Sequence, residues 1–422
     1  MTVNWKSLAA TVLFAGLALL LWVRGIAPAV SRVDTDFPNY LTAARIVFDG
    51  GPATRLYDDA WFQTQMRDYG IGDPQFGKFA PFPPPTALLL VPLARLQPLD
   101  ALRVATGISL LCLGCSILLL SRILGRSPAA VGAFVLLSGF ATYSVLRFGQ
   151  PYILVSLSCI LGYFAYRRGW PLLAGACFGL FVPIKYFPIV FLLYFLWRRQ
   201  WRVVLGGGAC AAAVVLVSIA VLGWPVHQQY FTSILGSHLT AHLSMQNPFS
   251  ASFQSFDTLF RRLFVFDAAW NPHPWLALPA LQGIAVAATK LGILAVALAS
   301  LVALARYDSE DSVAPSIGLL GILVLLLAPA TATYHFILLW LPTALLLDWL
   351  LRAGARMHAA VLLGLYSLIG FCPYGHTLPF EGRGGLTLLA FPRLFLLLAM
   401  FITCVHFVWR RAEPTRLAQR HA

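Results

Sequence analysis

The chain has 422 residues, 59% of them hydrophobic and 11% charged, with a mean hydropathy of +0.77. That composition excludes an ordinary soluble domain and implies many apolar runs of membrane-spanning length. The formal charge of +14 does not point to nucleic acid: the basic residues form short clusters between apolar runs rather than one basic face, which is the pattern of cytoplasmic loops.

In chain order, Leu8–Ile26 is the first apolar run. A lysine precedes it and no small-x-small cleavage site follows, so it reads as an uncleaved span rather than a signal peptide. The polar stretch Val33–Pro85 comes next. It holds Asp34, Asp36, Asp49, Asp58, Asp59, Asp68 and Asp73; with Asp100 just beyond, these are half of the 16 acidic residues. Thr86–Leu96 is apolar but about half the length of a span, contains Pro92 and follows three prolines, so a re-entrant or interfacial segment is expected. Val104–Leu120, Ala129–Leu146 and Ile153–Tyr166 follow. The run Trp170–Trp197 is interrupted by Pro183, Lys185 and Pro188 and reads as two short helices meeting at a break. Then come Val203–Leu222, a second polar loop from Trp224 to Pro279, and the runs Leu281–Ala305, Ile317–Leu327, His335–Leu351, Ala359–Phe371 and Leu386–Val408. A polar, basic tail closes the chain. The seven cysteines lie almost all within apolar runs. Cys112 and Cys115 have a CxxC-like spacing but no second ligand pair, so they read as small buried side chains.

Short basic clusters (Arg122 and Arg126; Arg167 and Arg168; Arg198, Arg199 and Arg202; Arg352 and Arg356; Arg410 and Arg411) occupy every second connection, which places them inside. The reading is an all-α integral membrane protein with about twelve transmembrane helices and both ends in the cytoplasm. One domain covers 1–409, with two long extracytoplasmic loops at 27–85 and 224–279, and 410–422 is a basic cytoplasmic tail. The count balances only if Thr86–Leu96 does not cross or another crossing is miscounted. The Gly149-Gln150 turn, the Pro183–Pro188 break and the Thr331–His335 turn then share the outer face with both long loops. No internal repeat is visible, unlike many transporters.

The polar residues at that outer face are the candidates for chemistry. Arg147 and Lys185 run against the positive-inside pattern, and a cation at the edge of hydrocarbon needs a partner. Lys185, enclosed in VPIKYFP, either snorkels to the interface or binds a lipid phosphate together with Arg147. Asp36 either caps the helix expected at Pro38–Val47 or serves as a base that accepts a hydroxyl proton, with Asp34 competing for both roles. His335 shares that work or holds a helix end. Tyr40, Tyr57, Trp61 and Phe79 either stack on sugar faces or anchor at the interface. No acidic pair has metal-ligand spacing, so no metal is expected.

An ordered set of motifs runs along most of the chain: D-F-x-x-Y-x-x-A-A at Asp36, Phe37, Tyr40, Ala43 and Ala44; G…L-Y-D at Gly50, Leu56, Tyr57 and Asp58; F-x-x-F-P-P-P at Phe79 and Pro83–Pro85, then P-L-A at Pro92, Leu93 and Ala94; G-Q-x-x-x-L at Gly149, Gln150 and Leu154; K-x-x-P at Lys185 and Pro188; Q-S-F…R-R-L at Gln254, Ser255, Phe256, Arg261, Arg262 and Leu263; and P-x-x-x-x-Y-H at Pro329, Tyr334 and His335. The set resembles glycosyltransferase family 87, membrane enzymes of the C type (GT-C), which include mycobacterial mannosyltransferases. The resemblance implies that Asp36 is the catalytic base and that the donor is a polyprenyl-phosphate hexose, commonly mannose, rather than a nucleotide sugar. It also implies that Lys185 and His335 lie by the donor phosphate. Arg147, Gln150 and Tyr334 are the other donor-binding candidates. Tyr40, Tyr57, Asn247 and Gln254 are the substrate-binding candidates. The chain departs from the family at Phe253, where Asn is usual, and at the Ala-Thr-Ala-Thr before Tyr334.

The function expected is transfer of a hexose, inverting at the donor, from polyprenyl phosphate to a lipid-linked or glycan acceptor on the outer side of the plasma membrane. No cofactor is expected. A transporter or flippase of lipid-linked saccharides is the alternative; it would need polar residues along a path through the midplane, and the later runs have almost none. A purely structural subunit would leave the clustered outer polar groups unexplained.

Overall fold

Proline sets where many of these helices start. Five of them begin on Pro98, Pro128, Pro171, Pro279 and Pro392, positions whose missing N–H has no helical partner to lose. The computed structural model describes residues 5–71, 77–239, 247–306, 309–372, 375 and 377–420, and these are helical apart from turns and one isolated antiparallel bridge between Asp267 and Asn271. Asp73 lies outside the described residues. The chain divides into two compact units, Met1–Leu136 with Thr142–Gln246, and Leu137–Ala141 with Asn247–Ala422.

In the first unit, α1 (Trp5–Leu21) runs on through a π-helical turn, Trp22–Ile26, to Ala29. After it come α2 (Phe37–Phe48), α3 (Asp59–Asp68), two 3₁₀ turns at Pro84–Leu88 and Val91–Leu93, and α4 (Pro98–Leu124). Next are α5 (Pro128–Leu136) and α6 (Phe140–Phe148), bent 77° from one another, then α7 (Tyr152–Arg167), α8 (Pro171–Leu180), α9 (Ile189–Trp197) and α10 (Trp201–Leu222). The unit closes with α11 (Trp224–Gln229), extended by a π-helical turn at Tyr230–Ile234.

The first long polar stretch folds on a core that it shares with α4, α10 and α11, through Leu102, Leu222 and Val226. Leu41, Leu56, Phe62 and Phe79 are wholly buried together, each such side chain contributing about 1.5–3 kcal/mol. Arg45 braces it, donating from Nε to the Ala94 carbonyl at 3.1 Å, from Nη1 to Tyr69 at 2.7 Å and from Nη2 to Leu96 at 2.7 Å. One guanidinium thus ties α2 to the loop on either side of it. Glycines set another close approach: a methyl group on Gly175 or Gly179 of α8 would fall on the carbonyl oxygens of Val203 or Gly207 in α10. Small residues four apart allow this backbone contact between apolar helices.

The second unit contains α12 (Phe256–Phe264), α13 (Pro279–Leu304), α14 (Ser309–Leu327), a 3₁₀ turn at Thr333–Leu339, α15 (Trp340–Arg352) and α16 (Arg356–Phe371). Two more 3₁₀ turns, Leu378–Phe380 and Gly384–Ala390, precede α17 (Pro392–Arg420). A buried ion pair joins Arg262 to Glu381. The guanidinium also donates to the carbonyls of Phe249 at 2.6 Å and Trp270 at 2.5 Å, and Glu381 Oε1 accepts the Ala251 N–H at 2.8 Å. Arg393 is buried, donating to Thr333 Oγ1 and to the Cys372 carbonyl, each at 2.6 Å.

Among the described residues six helices are long and apolar enough to cross a membrane: Ser7–Ala29, Pro98–Leu124, Trp201–Leu222, Pro279–Leu304, Thr333–Arg352 and Pro392–Arg411, or seven if α5 and α6 form one bent span. Several further runs form apolar helices of 10–17 residues, shorter than the roughly 20 that cross unaided. Thr86–Leu96 is largely two short 3₁₀ turns; at about 2 Å per residue a segment this size falls well short of a bilayer core of about 30 Å. The run expected from Leu386 begins as a 3₁₀ turn and becomes a helix only at Pro392. The basic tail continues α17 to Arg420.

Candidate active site

Between α1 and α2 the chain turns through Thr35, whose φ of 65° is an uncommon left-handed conformation for a β-branched residue. That turn sets Asp36 at the N-cap of α2, with Pro38 in its first turn. Asp36 does not act as a cap: its side chain accepts no helix N–H. Its Oδ2 instead accepts the Gln150 Nε2–H at 2.7 Å.

Gln150 arrives from the turn after α6. Gly149 has a φ of 62°, and a Cβ there would lie 2.5 Å from the ring of Phe37; glycine is needed both for the turn and for the approach to α2. The Gln150 side chain is buried, and its Oε1 accepts the Tyr40 hydroxyl at 2.7 Å. Tyr40 stands one helical turn beyond Asp36, on the same face of α2. It stacks on Phe82 with ring centroids 4.6 Å apart.

Lys185 completes the set from the break between α8 and α9. Its Nζ donates to Tyr40 Oη at 3.1 Å and lies over the rings of Phe82, Tyr152 and Tyr40, at 4.6, 5.0 and 5.6 Å from their centroids. Every hydrogen bond in this chain points one way: ammonium to phenol, phenol to amide, amide to carboxylate. Among the described residues Lys185 and Asp36 form no direct ion pair, and Asp36 Oδ1 accepts no hydrogen bond. Loss of water around the carboxyl pushes the Asp36 pKa up, against the Gln150 hydrogen bond and the fields of Lys185 and Lys78, which pull it down. A desolvated carboxylate with one unoccupied oxygen is suited to taking a proton.

Asp34, the competing carboxylate, is committed elsewhere. It pairs with Arg32 at 2.6 Å and more loosely with the half-exposed Arg147 at 3.9 Å. Tyr57 is buried and donates to the Phe82 carbonyl at 2.7 Å, which fixes the loop that carries Tyr40's stacking partner. Lys78 has no place in the sequence reading. Its backbone N–H donates to Asn39 Oδ1 at 3.0 Å, and its charge acts on both Asp36 and Asp59. No motif marks it, and only the fold of the loop brings it near.

The remaining candidates belong to the second unit. His335 Nδ1 accepts the Ala332 N–H at 2.9 Å, so the neutral ring carries its proton on Nε2. Tyr334 meets the His335 ring edge to face, 4.7 Å between centroids. Asn247 Oδ1 accepts the Phe249 N–H at 2.9 Å in a tight turn. Gln254 is wholly buried, donating to the carbonyls of Ala251 at 2.6 Å and Ala390 at 3.0 Å and accepting the Arg393 N–H at 3.0 Å. In that position it braces the backbone. Asp36, Tyr40, Gln150 and Lys185 therefore converge within the first unit, while Arg147 and Tyr57 stand outside their hydrogen-bond chain.

The family model described as Glycosyltransferase family 87 matches residues 79–329, more than half of the chain. The chain belongs to glycosyltransferase family 87. The match includes Gln150 and Lys185, begins after Asp36 and Tyr40, and ends before Tyr334 and His335. Two curated relatives of this family 87 chain are polyprenol-phosphate-mannose-dependent mannosyltransferases. The alpha-(1-2)-phosphatidylinositol mannoside enzyme of Mycobacterium tuberculosis is 31% identical over 243 residues, 53% of each chain. The alpha-(1-2)-phosphatidylinositol pentamannoside enzyme of Mycolicibacterium smegmatis is 29% identical over 249 residues, 54% of this chain and 52% of the relative. The chain thus spans about half the length of the curated relatives it matches. No solved structure matches it.

Proposed function

We propose that this family 87 protein is an inverting membrane glycosyltransferase of the GT-C type. It moves a hexose, mannose by likeness to its relatives, from a polyprenyl-phosphate donor to a glycolipid or glycan acceptor on the outer face of the plasma membrane. The observation that carries the reading is the placement of Asp36 at a helix N-cap without capping it, half-buried and held by Gln150. In the reaction the acceptor hydroxyl gives its proton to Asp36 Oδ1 while its oxygen bonds to the sugar C1. The bond from C1 to the phosphate oxygen breaks, polyprenyl phosphate leaves with the electron pair, and C1 inverts because attack comes from the opposite side. Within the first unit, Lys185 is assigned to neutralise the leaving phosphate, with Arg147 as a further donor contact and Tyr40 and Tyr57 beside the sugar. A transmembrane domain over 1–409, about twelve crossings with broken and short helices included, outer loops at 27–85 and 224–279, and an inner tail at 410–422 complete the reading.

The test is a transfer assay with a panel of polyprenyl-phosphate sugars, read by the mass of the lipid product; absence of any product with every donor would defeat the proposal. Two further results are expected. Because burial raises the Asp36 pKa and only the carboxylate accepts a proton, kcat/KM should fall as pH is lowered through a midpoint above the ordinary aspartate value of about 3.9. A midpoint at or below that value would contradict a desolvated base. Lys185→Met should weaken donor binding by about 10–100-fold, the equivalent of one charge-assisted hydrogen bond, and leave acceptor binding nearly unchanged. Equal donor affinity in the two proteins would remove Lys185 from the site.

A further inference from the structure

Two loops of the second unit present large apolar side chains outward. In the loop between α12 and α13, Phe266 is 57% exposed, Trp270 52%, Trp275 58% and Leu278 51%; in the 3₁₀ turn before α17, Leu386 is 54% exposed and Leu389 53%. Large apolar side chains left outward in this number mark a site of contact.

The loops are braced in this exposed arrangement. Asp267 Oδ1 accepts the N–H groups of Ala269 at 2.9 Å and Trp270 at 2.8 Å. Asn271 is wholly buried, its Nδ2 donating to the carbonyls of Arg262 at 2.9 Å and Val265 at 2.6 Å. Arg262 holds the Trp270 carbonyl in one loop and Glu381 beside the other. A backbone bond from Gly384 N to the His273 carbonyl, at 3.1 Å, joins the two directly, and Trp275 packs beside Gly385.

What covers them follows from where each loop ends. One leads to Pro279 and α13, the other to Pro392 and α17, both helices of membrane-crossing length and composition. The bond between the loops therefore ties together the segments that lead into these two helices. Along α13, Ile284, Leu291 and Leu298 are 63%, 64% and 52% exposed at intervals of seven residues, an outward stripe suited to acyl chains. The exposed aromatics precede that helix in the chain, and tryptophan at the end of a membrane-spanning helix concentrates at the bilayer interface. We propose that the two loops form one wedge seated in the interfacial layer of the membrane, with a phospholipid surface as its partner.

The proposal is independent of transfer activity and is tested without it. The full-length protein is placed one copy per nanodisc in phosphatidylcholine brominated either near the headgroup or deep in the acyl chain. The double variant Trp270→Phe/Trp275→Phe should lose part of the fluorescence quenched by shallow bromine and little of that quenched by deep bromine. Leu386→Trp, on the other loop, should add a shallow-quenched component and serves if the double variant folds poorly. If the signal removed or added is instead quenched by aqueous iodide, the loops face water and the proposal is overturned. The same holds if iodide quenching in single-copy discs disappears in protein-rich membranes, which would mean that a second copy covers the patch.

Discussion

Asp36→Asn is expected to lower kcat/KM for sugar transfer from polyprenyl phosphate by about 10²–10⁴-fold, the usual contribution of a positioned general base. The substitution keeps the shape of the side chain, and the Asn oxygen can still accept the Gln150 N–H, so the fold and donor binding should persist. What disappears is the ability to take a proton. Asp34→Asn is the matched control: that carboxylate is paired with Arg32 and Arg147, and its loss should leave most of the activity. Full activity in Asp36→Asn, or an equal loss in both variants, would end the assignment of Asp36 as the base.

Glu381→Ala should destabilise the protein by about 3–5 kcal/mol, the range for breaking a buried ion pair from one side. Arg262 is left with its side chain only 6% exposed and without its countercharge, and the Ala251 N–H loses its acceptor. Glu381→Gln should cost less, because its amide oxygen can still accept from both donors. Asp100→Asn provides the contrast, since its pair with Arg103 is more than half exposed on both sides and such pairs contribute at most about 1 kcal/mol. Unfolding midpoints in detergent measure all three. A shift for Glu381→Ala no larger than that for Asp100→Asn would show that the buried pair does not hold the second unit together.

Much of this arrangement was legible in the sequence. Apolar runs and prolines gave most helices, and the break at Pro183–Pro188 appears where two short helices meet. Misplaced cations and motif order drew attention to Asp36, Gln150 and Lys185, which the fold brings into one hydrogen-bond chain. Residue chemistry alone left Asp34 competing with Asp36, and the motif resemblance chose Asp36; that Asp36 is held by Gln150, more than 100 positions away, was not legible. Lys78 was missed because a lysine in a polar loop looks like any solvated charge until the loop's core places it. Arg262 and Glu381 stand 119 positions apart, and no local pattern joins them. Helix lengths also strayed: α4 starts at Pro98 rather than Val104, since hydropathy marks where lipid would be and hydrogen bonding continues past it.

The one-way run from Lys185 through Tyr40 and Gln150 to Asp36 implies an interlock. While the ammonium is directed at the phenol, each link is polarised toward the carboxylate and the proton affinity of Asp36 is held down. A phosphodiester that drew the ammonium to itself would relax that pull at the far end. Occupancy of one pocket would then sharpen the basicity of the other, favouring an order of addition in which the acceptor is activated only once the sugar is in place, with less wasteful hydrolysis between turnovers.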